Sequence, residues 1–319
     1  MTKVAFGIDI GGTYTKLGIV DESGHCLVDS SISTYDHKEI NTFLLALKAE
    51  MERLKNEING DIEVVGIGIG APNANYYKGT IEHAPNLNWK GIIPFVEKFK
   101  LHYNLPIFLT NDANAAAIGE MIYGVAKNFQ DFIVITLGTG LGSGIVARGK
   151  LVYGHDGFAG ELGHIIVDKD GREGTAGING TLESYVSATG MKRTIFEFMA
   201  NSIKESELRE IPFSKMTSKK IYDAAKKGDE LALEAFRYTG EILGRALATA
   251  VNHTSPEAII LFGGLAKAGE FLIDPTKRYM EEYLIPIYKN KIKIIPSALT
   301  DTNAAVLGAS ALVWNELAK

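Results

Sequence analysis

The chain has 319 residues, a formal charge of −5, 46% hydrophobic and 22% charged residues, and a single cysteine, Cys26. This is the composition of an ordinary globular protein of one or two domains, not of a disordered or fibrous chain. The mild acidity gives no electrostatic reason to expect nucleic acid or an anionic membrane as partner, one cysteine cannot form an internal disulfide, and no run of about 18 apolar residues suggests a membrane span.

The opening stretch Val4–Ile10 reads as a buried strand, and its start lacks the order of a signal peptide, so a cytoplasmic location is expected. Gly11-Gly12-Thr13 is a turn, Leu17–Val20 a returning strand, and Asp21–Gly24 a second turn into Cys26-Leu27-Val28. Apolar residues at helical spacing predict a helix over 39–58. A strand follows at Val64–Ile69, a helix at Ile93–Phe99, a strand at Pro106–Leu109, and an alanine-rich helix opening on Asn111-Asp112. At Phe132 the opening pattern returns. The strand Phe132–Thr136, the glycine turn Leu137–Gly144, a strand Ile145–Ala147 and a turn into Leu151-Val152 repeat the first segment. A slide of 127 residues lays Ile10 over Leu137 and Ile19 over Val146, which reads as an internal duplication. Beyond Thr181 the chain turns mainly helical, with caps at Thr217 and Asp229. Strands are expected at Ala258–Phe262 and Lys291–Ile295, and a last helix at Ala304–Leu317. Alternating strands and helices make the class α/β.

Three clusters have chemical content. Asp9-Ile10-Gly11-Gly12-Thr13 and Gly138-Thr139-Gly140-Leu141-Gly142 are turns whose missing side chains would let backbone amides reach phosphate oxygens, and Asp9 could hold Mg2+ through water. Hairpins also favour glycine for purely conformational reasons, but the duplication and Gly263-Gly264 after a third strand favour the phosphate reading. Asn111-Asp112 follows a strand and opens a helix. There Asp112 is either a general base or simply part of a helix cap. Glu161, His164 and Glu183, set in glycine-rich loops, suit a ligand bearing many hydroxyls or, equally, a solvated loop.

Together these segments closely resemble the ROK family of sugar kinases and sugar-responsive repressors over nearly the whole chain. The resemblance is carried by Asp9–Thr13, Ala84-Pro85-Asn86-Leu87-Asn88-Trp89, Asn111–Glu120, Leu137–Gly144 and Gly160-Glu161-Leu162-Gly163-His164. It implies a two-lobed actin-like, ribonuclease-H-like fold with a duplicated βββαβα core and a cleft between lobes. Residues 1–111 and 302–319 would form the small lobe and 112–301 the large one. It implies ATP and Mg2+, a hexose substrate and a homodimer. Asp112 would be the general base. Asn73, Asn86, Asn111, Glu161, His164 and Glu183 would meet the sugar. Asp9, Gly11, Gly12, Thr13, Lys16, Thr136, Gly138, Thr139, Gly140, Gly263 and Gly264 would hold the nucleotide and its metal. Glucose, phosphorylated at its 6-hydroxyl, is the expected substrate. N-acetylmannosamine, N-acetylglucosamine, fructose and other hexoses are the alternatives. A repressor of the same family is disfavoured, because the chain opens directly on the first phosphate-loop strand.

Two departures stand out. The family's three zinc-binding cysteines align with Gly174, Ala176 and Thr181, so no structural zinc is expected, and nothing in the sequence says what orders that loop instead. The family's Pro-Gly is Pro72-Asn73 here. Asn tolerates left-handed backbone better than most residues, but its side chain could alter the sugar pocket.

Overall fold

The first strand of the structure, a computed structural model describing residues 1–175, 177–299 and 303–318, is longer than the hydrophobic run suggests. β1 (Thr2–Ile10) pairs antiparallel with β2 (Tyr14–Asp21), which pairs with β3 (Cys26–Ser33). Helix α1 (Ile40–Glu57) then buries Phe43, Leu44, Leu47, Met51 and Leu54. β4 (Ile62–Ala71) returns parallel to β1. A small sheet of β5 (Ala74–Asn75), β6 (Thr80–Glu82) and β7 (Ile92–Ile93) follows. Its strands are too short to show a period, so the sequence gives no sign of it, and the helix expected from Ile93 begins later, as α2 (Phe95–Lys100). β8 (Ile107–Asn111) completes a sheet of order β3-β2-β1-β4-β8 and runs straight into α3 (Asp112–Ile122).

The second sheet repeats this order. It consists of β9 (Phe132–Leu137), β10 (Leu141–Ala147) and β11 (Lys150–Leu151), joined after α4 (Ala188–Ala200), α5 (Ser218–Lys226) and α6 (Glu230–Thr254) by β12 (Ala258–Phe262). After α7 (Glu270–Tyr283), β13 (Lys293–Pro296) gives the order β11-β10-β9-β12-β13. In each half the first strand pairs antiparallel with its hairpin partner and parallel with the strand on its other side, so the duplication is structural. The second hairpin is one residue tighter. Ile10 pairs with Thr15 across Gly11–Tyr14, whereas Leu137 pairs with Leu141 across Gly138–Gly140. Ile19, opposite Phe6, therefore corresponds to Ile145, opposite Ile133, and not to Val146. The last strand starts two residues later than expected and carries Pro296, which an edge strand tolerates. Helix α7 holds Pro275 in its interior and is not among the expected elements.

Helix α8 (Ala304–Leu317) lies where expected and packs back on the first sheet. Its approach needs glycine beneath it: a Cβ on Gly68 would stand 1.9 Å from the Ala309 carbonyl oxygen, and one on Gly7 2.1 Å from that of Val306. The lobe boundary expected at residues 301 and 302 lies outside the described residues. Helix α3 is packed by both sheets, which explains its alanines. A Cβ on Gly144 of β10 would stand 2.7 Å from the Ala117 methyl, while one on Gly70 of β4 would stand 3.2 Å from the Ala115 methyl. At its far end, buried Glu120 accepts from the Val125 amide at 2.9 Å and from the Ser297 hydroxyl. The start of α3 is thereby fixed between the tips of two like sheets.

Candidate active site

The first sheet ends its parallel strands at β8, and Asn111 caps α3 by accepting from the Ala113 amide at 2.8 Å. Asp112 accepts from the same amide at 2.8 Å. The helix-cap reading of this pair is therefore made by Asn111, and Asp112 is the first residue of α3 beside it. Its carboxylate is reachable by solvent yet crowded by protein on most sides, and this loss of solvation raises its pKa above the usual carboxylate value. Asp9, at the end of β1, is pushed up to about 6. Burial is the main cause, the Asp112 charge adds to it, and Lys16, its partner across the hairpin, opposes it. Glu161 is raised by burial and by the charges of Asp112 and Glu183, against the pull of His164, whose Nε2 lies 3.9 Å from its Oε2. Four carboxylates of separate elements thus converge with one imidazole.

The two glycine turns flank this group. Among the described residues, the amides of Gly12, Thr13, Thr139 and Gly140 donate no hydrogen bond. Those of Gly11 and Gly138 close their own turns, on the carbonyls of Tyr14 at 3.1 Å and Gly140 at 3.0 Å. Amides left free in a glycine turn are available to an anion. The Thr136 hydroxyl accepts from the Gly142 amide at 3.1 Å, so it braces the hairpin. Gly263, at φ +104°, lies against β9, where a Cβ would stand 2.6 Å from the Leu137 carbonyl oxygen. Around Gly264 there is open space.

On the other side, Leu87 and Trp89 are buried anchors, with the Trp89 ring 4.6 Å from that of Phe43 and its Nε1 donating to the His37 carbonyl at 3.0 Å. They leave Asn86 exposed beside Gly12, where a Cβ would stand 2.5 Å from the Asn86 carbonyl oxygen. Asn73 adopts φ +50°, the left-handed geometry its side chain tolerates, and its Nδ2 donates to the His83 carbonyl at 3.4 Å. Glu183 is already engaged: Oε2 accepts from the Leu141 amide at 2.9 Å and Oε1 from the Thr175 hydroxyl at 2.6 Å. It therefore ties its loop to the second glycine turn.

Two contributors escape the sequence reading. Ser143, inside β10, donates to the Gly160 carbonyl and accepts from the Leu162 amide at 3.1 Å, which fixes the backbone on both sides of Glu161. A serine in a glycine-rich strand carries no signal of this. Arg172 is the second, buried in the loop between His164 and Glu183.

The chain matches the ROK family model over residues 5–316. It is 34% identical, over 96% of its length and 94% of the relative's, to a glucokinase of Halalkalibacterium halodurans. A ROK glucokinase of Streptomyces griseus, solved with glucose and AMPPNP, superposes at TM-score 0.82 with 31% identity over 98% of this chain and 99% of that one. A xylose repressor of Caldicellulosiruptor bescii is 28% identical over 98% of this chain and 78% of its own length. The chain belongs to the ROK family.

Proposed function

We propose that this ROK-family chain, an ATP-dependent hexose kinase, phosphorylates glucose at its 6-hydroxyl with Asp112 as general base. The observation that supports it most is the position of Asp112, crowded between two glycine turns with free amides and beside a set of carboxylates suited to sugar hydroxyls. As the hydroxyl oxygen attacks the γ-phosphorus in line, its bond to phosphorus forms and the bond to the leaving oxygen of ADP breaks. Asp112 takes the hydroxyl proton. The amides of Gly12, Thr13, Thr139 and Gly140 absorb charge on the phosphates, with Gly11, Gly138, Thr136 and Lys16 holding the turns and Gly263-Gly264 facing the nucleoside. Asn73, Asn86, Asn111, Glu161, His164 and Glu183 hold the sugar.

The residues fit Mg2+. Asp9, a carboxylate at the end of β1 beside the first glycine turn, is the side chain that would hold the ion through water. When bound there, the ion would supply positive charge to offset that of the phosphates. The reading includes two lobes, residues 1–111 with 302–319 and residues 112–301, and a homodimer in which each protomer carries its own site.

The test is ADP release with glucose, mannose, fructose, allose, N-acetylglucosamine and N-acetylmannosamine. Glucose should show the highest kcat/KM, with glucose 6-phosphate as product. Turnover of another hexose in its place would replace glucose and keep the kinase. No turnover, together with salt-sensitive binding to DNA, would favour the repressor reading.

A further inference from the structure

The loop that joins His164 to Glu183 needs an organiser, because long loops in contact with a site are precise only when held. The zinc implied by the family resemblance does not fit here. Gly174 stands at one ligand position, and a Cβ on it would meet the Ile178 carbonyl oxygen at 2.3 Å and the Thr181 Oγ1 at 3.0 Å, leaving no room for a thiolate. Thr181 stands at another and is buried. Ala176, at the third, lies outside the described residues.

Arg172 enters the same loop and is almost fully buried. A guanidinium has five N–H donors, and here each has an acceptor. Nε donates to Glu197 Oε1 at 2.9 Å, and one terminal nitrogen donates to Glu197 Oε2 and to Thr194 Oγ1 at 3.0 Å. The other terminal nitrogen donates to the carbonyls of Ser184 at 3.3 Å and Gly190 at 3.2 Å. The guanidinium carbon lies 4.4 Å from the centroid of the Tyr185 ring. The same tyrosine's hydroxyl accepts from the Arg172 amide at 3.1 Å and donates to Asp168 Oδ2 at 2.8 Å. The Arg172 carbonyl accepts from the Gly180 amide at 2.7 Å, which closes the loop at its base. One side chain therefore fastens the loop to the turn bearing Glu183 and to α4.

We infer that Arg172 replaces the metal as the cross-link of this loop and is a positioning residue for the hexose. It acts through Glu183, one residue before Ser184, and through His164, at the other end of the loop. Lysine cannot take its place: an ammonium has three donors and no fork to span Glu197, Thr194 and two carbonyls.

This inference rests on the hexose-kinase reading, so the test has one arm that does not. The full chain is compared with Arg172→Lys, Arg172→Met and Glu197→Gln. Steady-state kinetics should show a hexose KM raised about 10-fold or more in Arg172→Lys, and by a clearly larger factor than the ATP KM, since Glu183 also braces the second glycine turn. Glu197→Gln, which keeps neutral acceptor and shape, should lie between. Hydrogen exchange should quicken in peptides spanning 165–183 in both Arg172→Lys and Glu197→Gln, even where Arg172→Met fails to fold. Treating the wild type with 1,10-phenanthroline should change neither exchange nor KM. Unchanged hexose KM and unchanged exchange in Arg172→Lys, or loop protection lost on chelation, would overturn the inference and leave the kinase standing. A wild type that phosphorylates no hexose would overturn the kinase reading, and the exchange arm would still decide the cross-link.

Discussion

Asp9 loses solvation at the end of β1 and also feels the charge of Asp112, and both raise its pKa. The fold carries this shift at a cost. Moving Asp9 from 3.8 to about 6 penalises the folded state by about 3 kcal/mol at neutral pH. The sign follows from the direction. A carboxyl whose folded pKa is raised supports the fold below its ordinary value, and that support is lost as pH rises through about 6. Asp9→Asn cannot ionise and escapes the loss. Its melting temperature relative to wild type should therefore climb steadily from about pH 4 to about pH 6 and level off above that, while turnover falls. Parallel melting curves across that range would contradict the account. Arg172 and Ser143 carry the opposite lesson about residues. Asp112 stood out as a polar residue opening a helix after an apolar strand, and only the family resemblance carried it from cap to candidate base. The partners of Arg172 include two backbone carbonyls and side chains up to 25 positions away, which no local pattern encodes.

At the level of elements, glycine sets distances between layers. α8 reaches the first sheet only because Gly7 and Gly68 have no side chain, and α3 reaches both sheets because its own side chains are methyls and the strands beneath carry Gly70 and Gly144. Gly68→Ala puts a methyl 1.9 Å from a carbonyl oxygen in the middle of a helix, so it should destabilise by about 3 kcal/mol, near the upper end of overpacking costs. The check is a lower urea midpoint at unchanged m-value. An unaltered midpoint would show that α8 is held more loosely than these contacts imply. Long elements with apolar faces, such as α1, α6 and α8, were legible from the chain, and so was the repeated strand-turn-strand opening of each half. The small sheet was not, since its two- and three-residue strands are made by pairing alone. Nor was the one-residue difference between the hairpins, because sliding a sequence without gaps cannot register a shorter turn.

Across the whole molecule, two sheets of the same order both pack on α3, which has Asp112 at its first position. That duplication gives the many glycines their meaning: some line the turns, and others let helices close on the sheets. The net charge of −5 disfavours the DNA contacts of the family's repressors, and no described helix is long and apolar enough to cross a membrane. The account's central claim is that this arrangement serves proton removal from a hexose hydroxyl. The most direct measurement is kcat for ATP-dependent phosphorylation of glucose by the wild type and by Asp112→Asn, which keeps the shape of the side chain and removes its basicity. We expect kcat to fall by about 10²- to 10⁴-fold with the glucose KM changed far less. Equal turnover by the two proteins would contradict the assignment of Asp112.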